Sequence, residues 1–299
     1  MEKIAVVGAG LMGHGIAQVF AVAGHSVSIY DPVADVLGRV PARVRDNLQA
    51  LGLDVSAVER IALQSTLPAA AAGADVVFEA ALEDLPLKQE LFAQLAASTR
   101  PDCILASNTS VISIGEIGAR VPNPDRVLGT HWWNPPYLIP LVEVVRAPAS
   151  DPGCIERMME LLRRVGKLPV HVKRDVPGFV GNRLQHALWR EAISIVSSGI
   201  CDAETVDLVV KNSFGMRLPV LGPLENADLI GLDLALAVHR YLFPHIENSG
   251  SPDPLLEEHV REKNLGMKSG RGFYEWTPES AQRVRQKLTE YLNKVATRI

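Results

Sequence analysis

The sequence predicts an α/β protein: a doubly wound, mostly parallel sheet over residues 1–176, followed by an all-α domain over residues 177–299. In the first part, short apolar runs of strand length alternate with helix-length segments, which is the pattern of a parallel sheet with helices on both faces. After the segment Asp175-Val176-Pro177-Gly178 the strand signals stop, and long segments of helical periodicity follow. We therefore expect a domain boundary at this segment.

The first strand and turn carry a dinucleotide-binding pattern. An apolar run over residues 3–7 is followed by GAGLMG at 8–13 and then by an apolar-periodic helix. In such a pattern Gly8 makes the tight turn, Gly10 lets the backbone approach a pyrophosphate, and Gly13 lets helix and strand pack closely. The amide groups and dipole at the helix start favour the phosphates. The predicted cofactor contacts here are Gly8, Gly10, Leu11, Met12 and Gly13.

The end of the second strand selects between the two nicotinamide cofactors. A strand-like run over residues 26–30 ends in Asp31, where a carboxylate can accept hydrogen bonds from both ribose hydroxyls. The same carboxylate repels a 2′-phosphate, and no arginine follows it directly. We therefore predict a Rossmann-type domain that binds NAD rather than NADP. The alternative is that Asp31 only caps a turn before Pro32.

A helix is predicted over residues 41–51, because proline favours the first helical turn and a glycine follows at 52. Its apolar spacing leaves Arg43 and Asn47 on the outer face. The arginines of this segment are either contacts for a phosphorylated substrate or part of a solvated face. They are Arg39, Arg43 and Arg45.

Polar side chains follow a later buried strand. Ser107-Asn108-Thr109-Ser110 comes directly after the apolar run over residues 103–106. Ligands of open α/β sheets bind at the C-terminal ends of parallel strands, so these hydroxyls and this amide are candidate ligand contacts. Ser110 is also a candidate helix N-cap, and the two roles are compatible.

A proline-rich turn separates two further strands and carries the candidate catalytic pair. Residues 127–130 form a short apolar run that ends at His131, and residues 141–145 form the returning run, which contains Glu143. A neutral imidazole is a natural general base near neutral pH. A carboxylate that accepts the other ring N–H fixes the tautomer and stabilises the imidazolium. The pair therefore predicts removal of a proton from an alcohol, and the alternative is a packed core histidine beside Trp132 and Trp133.

The second domain is predicted to hold helices over residues 179–198, from 202 onward, over 226–241 and over 278–295. Asn182 falls in the first turn of the first of these and is expected to point back to the cleft. The loop at 215–223 is predicted to line the substrate pocket. Arg217 in this loop is either a carboxylate or phosphate clamp or an ordinary surface arginine.

Composition excludes several other classes of protein. The formal net charge is −4, with 47% hydrophobic and 21% charged residues, so neither nucleic acid nor an anionic membrane is expected as a partner. No apolar run approaches the ~20 residues that span a bilayer. The three cysteines have no spacing typical of a disulfide framework or a zinc site, so we expect no metal and a cytoplasmic protein. They are Cys103, Cys154 and Cys201.

Together these segments resemble the short-chain L-3-hydroxyacyl-CoA dehydrogenase family, in the right order and over essentially the whole chain. The most specific match is HWWNPPYLIPLVEVV at 131–145. The other matching segments are GAGLMG at 8–13, ALEDLPLKQELF at 81–92, SNTS at 107–110, DVPGFVGNRL at 175–184 and KSGRGFYEW at 268–276.

The resemblance implies reversible hydride transfer between NAD and C3 of a 3-hydroxyacyl compound, a homodimer formed through the helical domain, and a role in fatty acid metabolism. It implies that His131 and Glu143 are the catalytic dyad and that Ser110 and Asn182 contact the substrate or order the site. Asn134 is implied to lie beside the nicotinamide and the substrate. The implied cofactor contacts are Asp31, Glu83, Lys88 and Asn108.

Three departures from the family pattern leave the CoA group open. Trp132 and Trp133 stand where the family commonly has two phenylalanines, and Ile139-Pro140 replaces a common Met-Lys. The segment around the predicted helix at 41–51, which is rich in lysine in CoA-using members, has no lysine here. Relatives that act on gulonate, carnitine or pyridine alcohols have similar motifs. We therefore predict a 3-hydroxyacyl-CoA type of dehydrogenase. The alternatives are the same chemistry on a free hydroxy acid or another carboxylate-bearing alcohol, and a catalytically silent NAD-binding protein.

Overall fold

The computed structural model describes residues 1–296, and within them eight strands form one sheet. The spatial order is β3-β2-β1-β4-β5-β6-β7-β8, and all neighbours are parallel except β6 and β7. The predicted fold class is confirmed. The strands are β1 Ile4–Val7, β2 Val27–Tyr30, β3 Ile61–Gln64, β4 Val76–Glu79, β5 Ile104–Ser107, β6 Val127–Trp132, β7 Leu141–Val145 and β8 Leu168–Val172.

Helices cover both faces of this sheet. Alternate strand residues face opposite sides, so Ile4 and Val6 of β1 lie in one buried apolar cluster, whereas Ala5 and Val7 lie in another. The central strands are thus buried on both faces, as is typical of a parallel sheet covered by helices. The helices are α1 Leu11–Val22, α2 Ala34–Gly38, α3 Val40–Ala50, α4 Leu67–Ala71, α5 Leu85–Ser98, α6 Ile114–Ile117 and α7 Pro152–Arg164.

Local sequence signals explain several helix starts. Asp151 accepts hydrogen bonds from the amides of Gly153 and Cys154, and Pro152 occupies the first turn of α7. The cap of α6 is Ser113, whose hydroxyl accepts from Glu116, so Ser110 is not a helix N-cap.

The outer face predicted for Asn47 is wrong. Its side-chain amide donates to Gln18 Oε1 of α1 at 2.9 Å and its Oδ1 accepts from Tyr137 Oη at 3.2 Å. Arg43, one turn earlier on α3, is half-buried as well. The spacing of apolar residues correctly predicted the apolar face, since Val44 and Leu48 are buried. It could not show that polar residues on another face of the helix would also contact the protein.

The rest of the chain is helical. The helices are α8 Gly181–Ser197, α9 Ala203–Asn212, α10 Pro223–Ile230, α11 Leu232–Leu242, α12 Pro254–Arg261 and α13 Pro278–Ala296. The single helix predicted over residues 226–241 is wrong, because Gly231 has a positive φ of 94° and separates two helices.

The chain forms two compact units. The sheet unit comprises residues 1–183 together with the chain from Thr289, and the helical unit comprises Leu184–Leu288. The boundary between residues 176 and 177 stays a prediction. In α9, α10, α11 and α12 of the helical unit no side chain is fully buried.

Two features are absent from the part of the chain that the structure describes. No helix there is both long and apolar enough to cross a membrane. Nor do three His, Cys, Asp or Glu side chains come together in a group that could hold a metal ion.

Candidate active site

The antiparallel pair β6 and β7 brings a histidine and a carboxylate together. His131 and Glu143 are register partners on these strands, so their side chains project from the same face of the sheet. His131 Nδ1 lies 2.6 Å from Glu143 Oε2, and both residues are buried. The structure thus places the two members of the predicted dyad in direct hydrogen-bond contact.

The second oxygen of Glu143 is bound by the segment that leads into α8. Glu143 Oε1 accepts from the amide of Val180 at 2.9 Å and from that of Gly181 at 3.0 Å. Burial alone would raise the pKa of Glu143, but the hydrogen bonds from His131 and from these two amides outweigh it and hold the pKa below its usual value. The carboxylate is therefore ionised near neutral pH.

Two aromatic rings border the imidazole. The centroids of Trp133 and Phe179 lie 5.1 Å and 5.8 Å from that of His131. Phe179 has a φ of 49°, which is uncommon for a bulky residue. The neighbouring Trp132 points to the opposite side of β6, where it packs edge-on against Phe78. The rings beside His131 reduce its access to water.

Ser110 and Asn182 meet beside this pair of strands. Asn182 Nδ2 donates to the backbone carbonyl of Ser110 at 3.0 Å. This bond ties the first turn of α8 to the loop that follows β5. Ser110 is half-buried and Asn134 is exposed. No hydrogen bond is formed by the Ser110 hydroxyl or the Asn134 amide with the described residues, so both side chains are available to a ligand.

The glycine loop between β1 and α1 fits a dinucleotide. A methyl group at Gly13 would lie 1.8 Å from Gly8 O, so α1 packs against the loop without space for a side chain. A methyl group at Gly10 would meet nothing within 4 Å, which leaves this backbone open to a phosphate. Leu11 is largely exposed and Met12 is half-buried against the core. These residues would hold the pyrophosphate of NAD.

Asp31, at the end of β2, is bound to the backbone of this loop. One oxygen accepts from the amide of Ala9 at 2.8 Å and the other accepts from that of Val33 at 2.9 Å. The carboxylate thus supports both the loop and the following turn. Each carboxylate oxygen has a further lone pair, so hydrogen bonds to a ribose remain open to it.

A buried ion pair that was not predicted from the sequence lies at the end of β4. Glu79 and Lys88 are 0% and 1% exposed in their side chains, and Lys88 Nζ lies 2.7 Å from Glu79 Oε1. The other oxygen of Glu79 accepts from Ser107 Oγ at 2.6 Å. A carboxylate that ends an otherwise apolar strand was a usable signal, since it requires a partner. The predicted cofactor contact of Lys88 stays a prediction.

Glu83 and Asn108 organise the loop after β5. Glu83 Oε1 accepts from Thr109 Oγ1 at 2.5 Å and from the Ser110 amide at 2.9 Å. Burial raises the pKa of Glu83, but these bonds and the charge of Lys88 lower it overall. Asn108 Oδ1 accepts from the Trp132 amide at 3.0 Å. Both residues hold the loop that carries Ser110, and their cofactor contacts stay predictions.

Arg217 lies in the helical unit and is exposed. Its Nη1 donates to Asn226 Oδ1 at 3.4 Å, a long contact at the surface. Neither the clamp nor the surface interpretation is favoured by this contact, so the predicted role of Arg217 in substrate binding stays a prediction.

Comparison with protein families gives two matches that together span most of the chain. The family model described as 3-hydroxyacyl-CoA dehydrogenase, NAD binding domain, matches residues 3–176. The model described as 3-hydroxyacyl-CoA dehydrogenase, C-terminal domain, matches residues 178–276.

Individual relatives fall into more than one substrate class. The probable 3-hydroxybutyryl-CoA dehydrogenase of Bacillus subtilis is 40% identical over 290 residues, which cover 94% of this chain and 99% of the relative. The 5-formyl-3-hydroxy-2-methylpyridine 4-carboxylate 5-dehydrogenase of Mesorhizobium japonicum is 35% identical over 287 residues, covering 94% and 93%.

Solved structures show the same two classes. A crystal structure of a 5-formyl-3-hydroxy-2-methylpyridine 4-carboxylic acid 5-dehydrogenase, described as an NAD⁺-dependent dismutase, matches with a TM-score of 0.92 at 32% identity over 99% of this chain and 97% of the other. The (S)-3-hydroxybutyryl-CoA dehydrogenase from Ralstonia eutropha matches with a TM-score of 0.78 at 34% identity, covering 93% and 99%.

Proposed function

Since the chain belongs to the 3-hydroxyacyl-CoA dehydrogenase family, we propose that it interconverts a 3-hydroxyacyl compound and its 3-keto form with His131 as the base. It is an NAD-dependent oxidoreductase acting on CH–OH groups. The observation that carries the proposed role of His131 is its 2.6 Å contact with Glu143, a carboxylate that is itself held by two amides.

The proposed proton transfer follows from the state of Glu143. Because this carboxylate is ionised, it accepts a hydrogen bond from the N–H group at His131 Nδ1. The other ring nitrogen, Nε2, then carries no proton and can act as the base. His131 Nε2 then removes the hydroxyl proton of the alcohol, and Glu143 stabilises the imidazolium that forms. NAD, when bound, supplies the hydride acceptor. In the reverse direction the imidazolium returns the proton to the carbonyl oxygen.

The remaining polar groups of the site hold the substrate. The Ser110 hydroxyl and the Asn134 amide are the side chains we propose to bind the substrate oxygens. Asn182, bonded to the Ser110 carbonyl, orders this side of the site. The rings of Trp133 and Phe179 exclude water from the imidazole, which strengthens its interaction with Glu143.

The role of His131 is tested by His131→Ala. A positioned general base contributes ~10²- to 10⁴-fold, so kcat should fall by that factor. NADH affinity, measured by fluorescence titration, should stay within twofold of wild type, because the glycine loop is untouched. His171→Ala, an exposed histidine on β8, is the matched control and should keep wild-type turnover. Near-normal turnover in His131→Ala would exclude this mechanism.

A second substrate class is favoured by one specific observation. The pyridine-carboxylate dehydrogenase matches the fold with a TM-score of 0.92, against 0.78 for a 3-hydroxybutyryl-CoA dehydrogenase. The candidate substrate is then an alcohol that bears a free carboxylate and no CoA. An NADH absorbance assay should compare acetoacetyl-CoA with free 3-keto acids and with pyridine carboxylates that bear a formyl group. Turnover of acetoacetyl-CoA alone supports the 3-hydroxyacyl-CoA proposal, and turnover of free acids alone supports the second.

We also propose that the protein is a homodimer formed through the helical domain at 177–299. Large apolar side chains of the helical unit are exposed in the single chain, which is costly in water unless another surface covers them. Sedimentation equilibrium should give twice the mass of one chain, and a monomer at micromolar concentration would contradict this. These side chains include Leu188, Trp189, Leu208, Val209, Leu232, Leu236, Tyr241 and Phe243.

A further inference from the structure

Lys167 lies between α7 and β8, and its side chain reaches the turn at 134–140 that joins β6 to β7. Its Nζ donates to the carbonyl of Pro136 at 2.5 Å and to that of Ile139 at 3.0 Å. The ammonium also lies 5.8 Å from the centroid of the Trp132 ring. One side chain therefore connects the segment between α7 and β8 to two carbonyls of the turn.

Among the described residues, no carboxylate forms an ion pair with the Lys167 ammonium. Every ion pair within residues 1–296 joins a carboxylate to a basic residue other than Lys167. Lys167 is half-buried. Partial removal of an ammonium from water is unfavourable unless hydrogen bonds replace its hydration, and this desolvation lowers the pKa of Lys167 to about 8. An apolar side chain at this position would avoid the desolvation cost. Packing alone therefore does not explain why a lysine stands here.

A second set of hydrogen bonds joins the turn to helices α3 and α1. Tyr137 Oη donates to Asn47 Oδ1 at 3.2 Å, and Asn47 Nδ2 donates to Gln18 Oε1 of α1 at 2.9 Å. Within the turn, the amides of Leu138 and Ile139 both donate to Pro135 O at 3.0 Å. The turn is thus hydrogen-bonded to α3 through Tyr137, and from there to α1 through Asn47, and it is bonded to Lys167 just before β8.

Asn134 is the first residue of this turn, and its side chain makes no hydrogen bond with the described residues. We propose that Lys167 is a positioning residue for the reaction: its ammonium fixes the carbonyls of Pro136 and Ile139 and thereby sets where the Asn134 amide meets the substrate. The inference rests on the proposed function, which gives Asn134 its role.

Among the described residues, titratable groups also lie in the turn, at the end of α7 and on β6. Tyr137 lies in the turn, and burial raises its pKa. Arg163 and Arg164 end α7 and are exposed. His131 projects from the opposite face of β6 to Trp132, because successive strand residues alternate. Loss of the Lys167 proton is therefore the titration expected to alter the turn near pH 8.

The test compares Lys167→Met with Lys173→Met. Methionine keeps the length of the stem and removes the donors, so kcat/KM for alcohol oxidation at pH 7 should fall about tenfold or more. NADH affinity, measured by fluorescence titration, should stay within twofold of wild type. Lys173 is exposed just beyond the other end of β8, and its side chain forms no hydrogen bond or ion pair with the described residues, so Lys173→Met should behave as wild type.

A pH profile separates positioning from a general loss of structure. A neutral amine holds a carbonyl less strongly than an ammonium, so wild-type kcat/KM should show a downward step near pH 8. Lys167→Met should lack that step, and Lys167→Arg, charged at every pH used, should lack it also. Wild-type kcat/KM in Lys167→Met, or a step near pH 8 that persists in either variant, would overturn the proposal.

The arginine variant decides the question if the methionine variant does not fold. Failure of the Lys167 proposal is also distinguishable from failure of the proposed function. Retained turnover in His131→Ala would remove the function, whereas the Lys167 profiles bear only on the turn.

Discussion

Gly181 and Trp133 approach so closely that a methyl group built on Gly181 would lie 2.4 Å from Trp133 Cζ2. The same methyl group would lie 3.4 Å from Glu143 Oε2. The indole is in turn one of the two rings that border His131. There is therefore no free space between the start of α8, the Trp133 ring and the proposed dyad. A larger side chain at Gly181 must displace one of the others.

Gly181→Ala tests this packing. The added methyl group must push Trp133 away, because Gly181 donates its amide to Glu143 and is not free to move. Overpacking of this kind costs ~1–3 kcal/mol of stability, and we expect kcat to fall about tenfold or more. Steady-state kinetics and urea denaturation provide the measurements. Gly38→Ala is the control, since a methyl group there meets nothing within 4 Å. Equal activity of the two variants would contradict the expectation.

Glu143→Gln separates the charge of the carboxylate from its shape. The glutamine oxygen can still accept from the Val180 and Gly181 amides, so its NH₂ group faces His131. Nδ1 must then act as the acceptor, which places the ring proton on Nε2 and removes the base. We expect kcat to fall ~10²- to 10⁴-fold while NADH still binds.

The control for this variant is Glu59→Gln, an exposed glutamate outside the site. It should retain wild-type kinetics. If Glu143→Gln also retained wild-type kcat, the carboxylate would be a packing group only, and His131 would need another orienting partner.

The candidate site was predictable where it rests on short segments of sequence. The runs around His131 and Glu143 predicted two strands and a turn, and antiparallel pairing of such strands brings the two side chains together. The ion pair of Glu79 with Lys88 and the support of Glu143 by Gly181 were missed. Both join segments whose relative position depends on packing, which no local pattern specifies.

The same limit applies to the fold. Strands buried on both faces were recognised because they are continuous apolar runs. The edge strand β3 was missed, since its residues after Ile61 alternate weakly and are partly exposed. The helix predicted over residues 226–241 was wrong because a single glycine within a periodic pattern does not reveal its φ.

Lys88→Met tests the stability contribution of the buried ion pair. Removing the ammonium leaves the Glu79 carboxylate buried and unpaired, which costs ~3–5 kcal/mol. Urea denaturation near neutral pH should show this loss, and the double variant Glu79→Gln with Lys88→Met should recover much of it. Arg39→Met removes an exposed pair with Asp35 and should cost less than ~1 kcal/mol. Similar losses in the two single variants would show that Glu79 and Lys88 are not desolvated.

The lowered pKa of Lys167 makes the stability of the protein depend on pH. Burial lowers the pKa of its ammonium from 10.5 to about 8 in the folded state. Below pH 8 the group is protonated in both states and its burial is unfavourable. Between about pH 8 and 10.5 the unfolded chain binds a proton that the folded chain has released, so the free energy of unfolding rises with pH, by at most about 3 kcal/mol. Urea denaturation of wild type and Lys167→Met at pH 7, 8, 9 and 10 measures this term, because the other titrating groups cancel in the difference. A difference that stays constant or falls over this interval would mean that the ammonium keeps its hydration, and that its bonds to Pro136 and Ile139 are made at the surface.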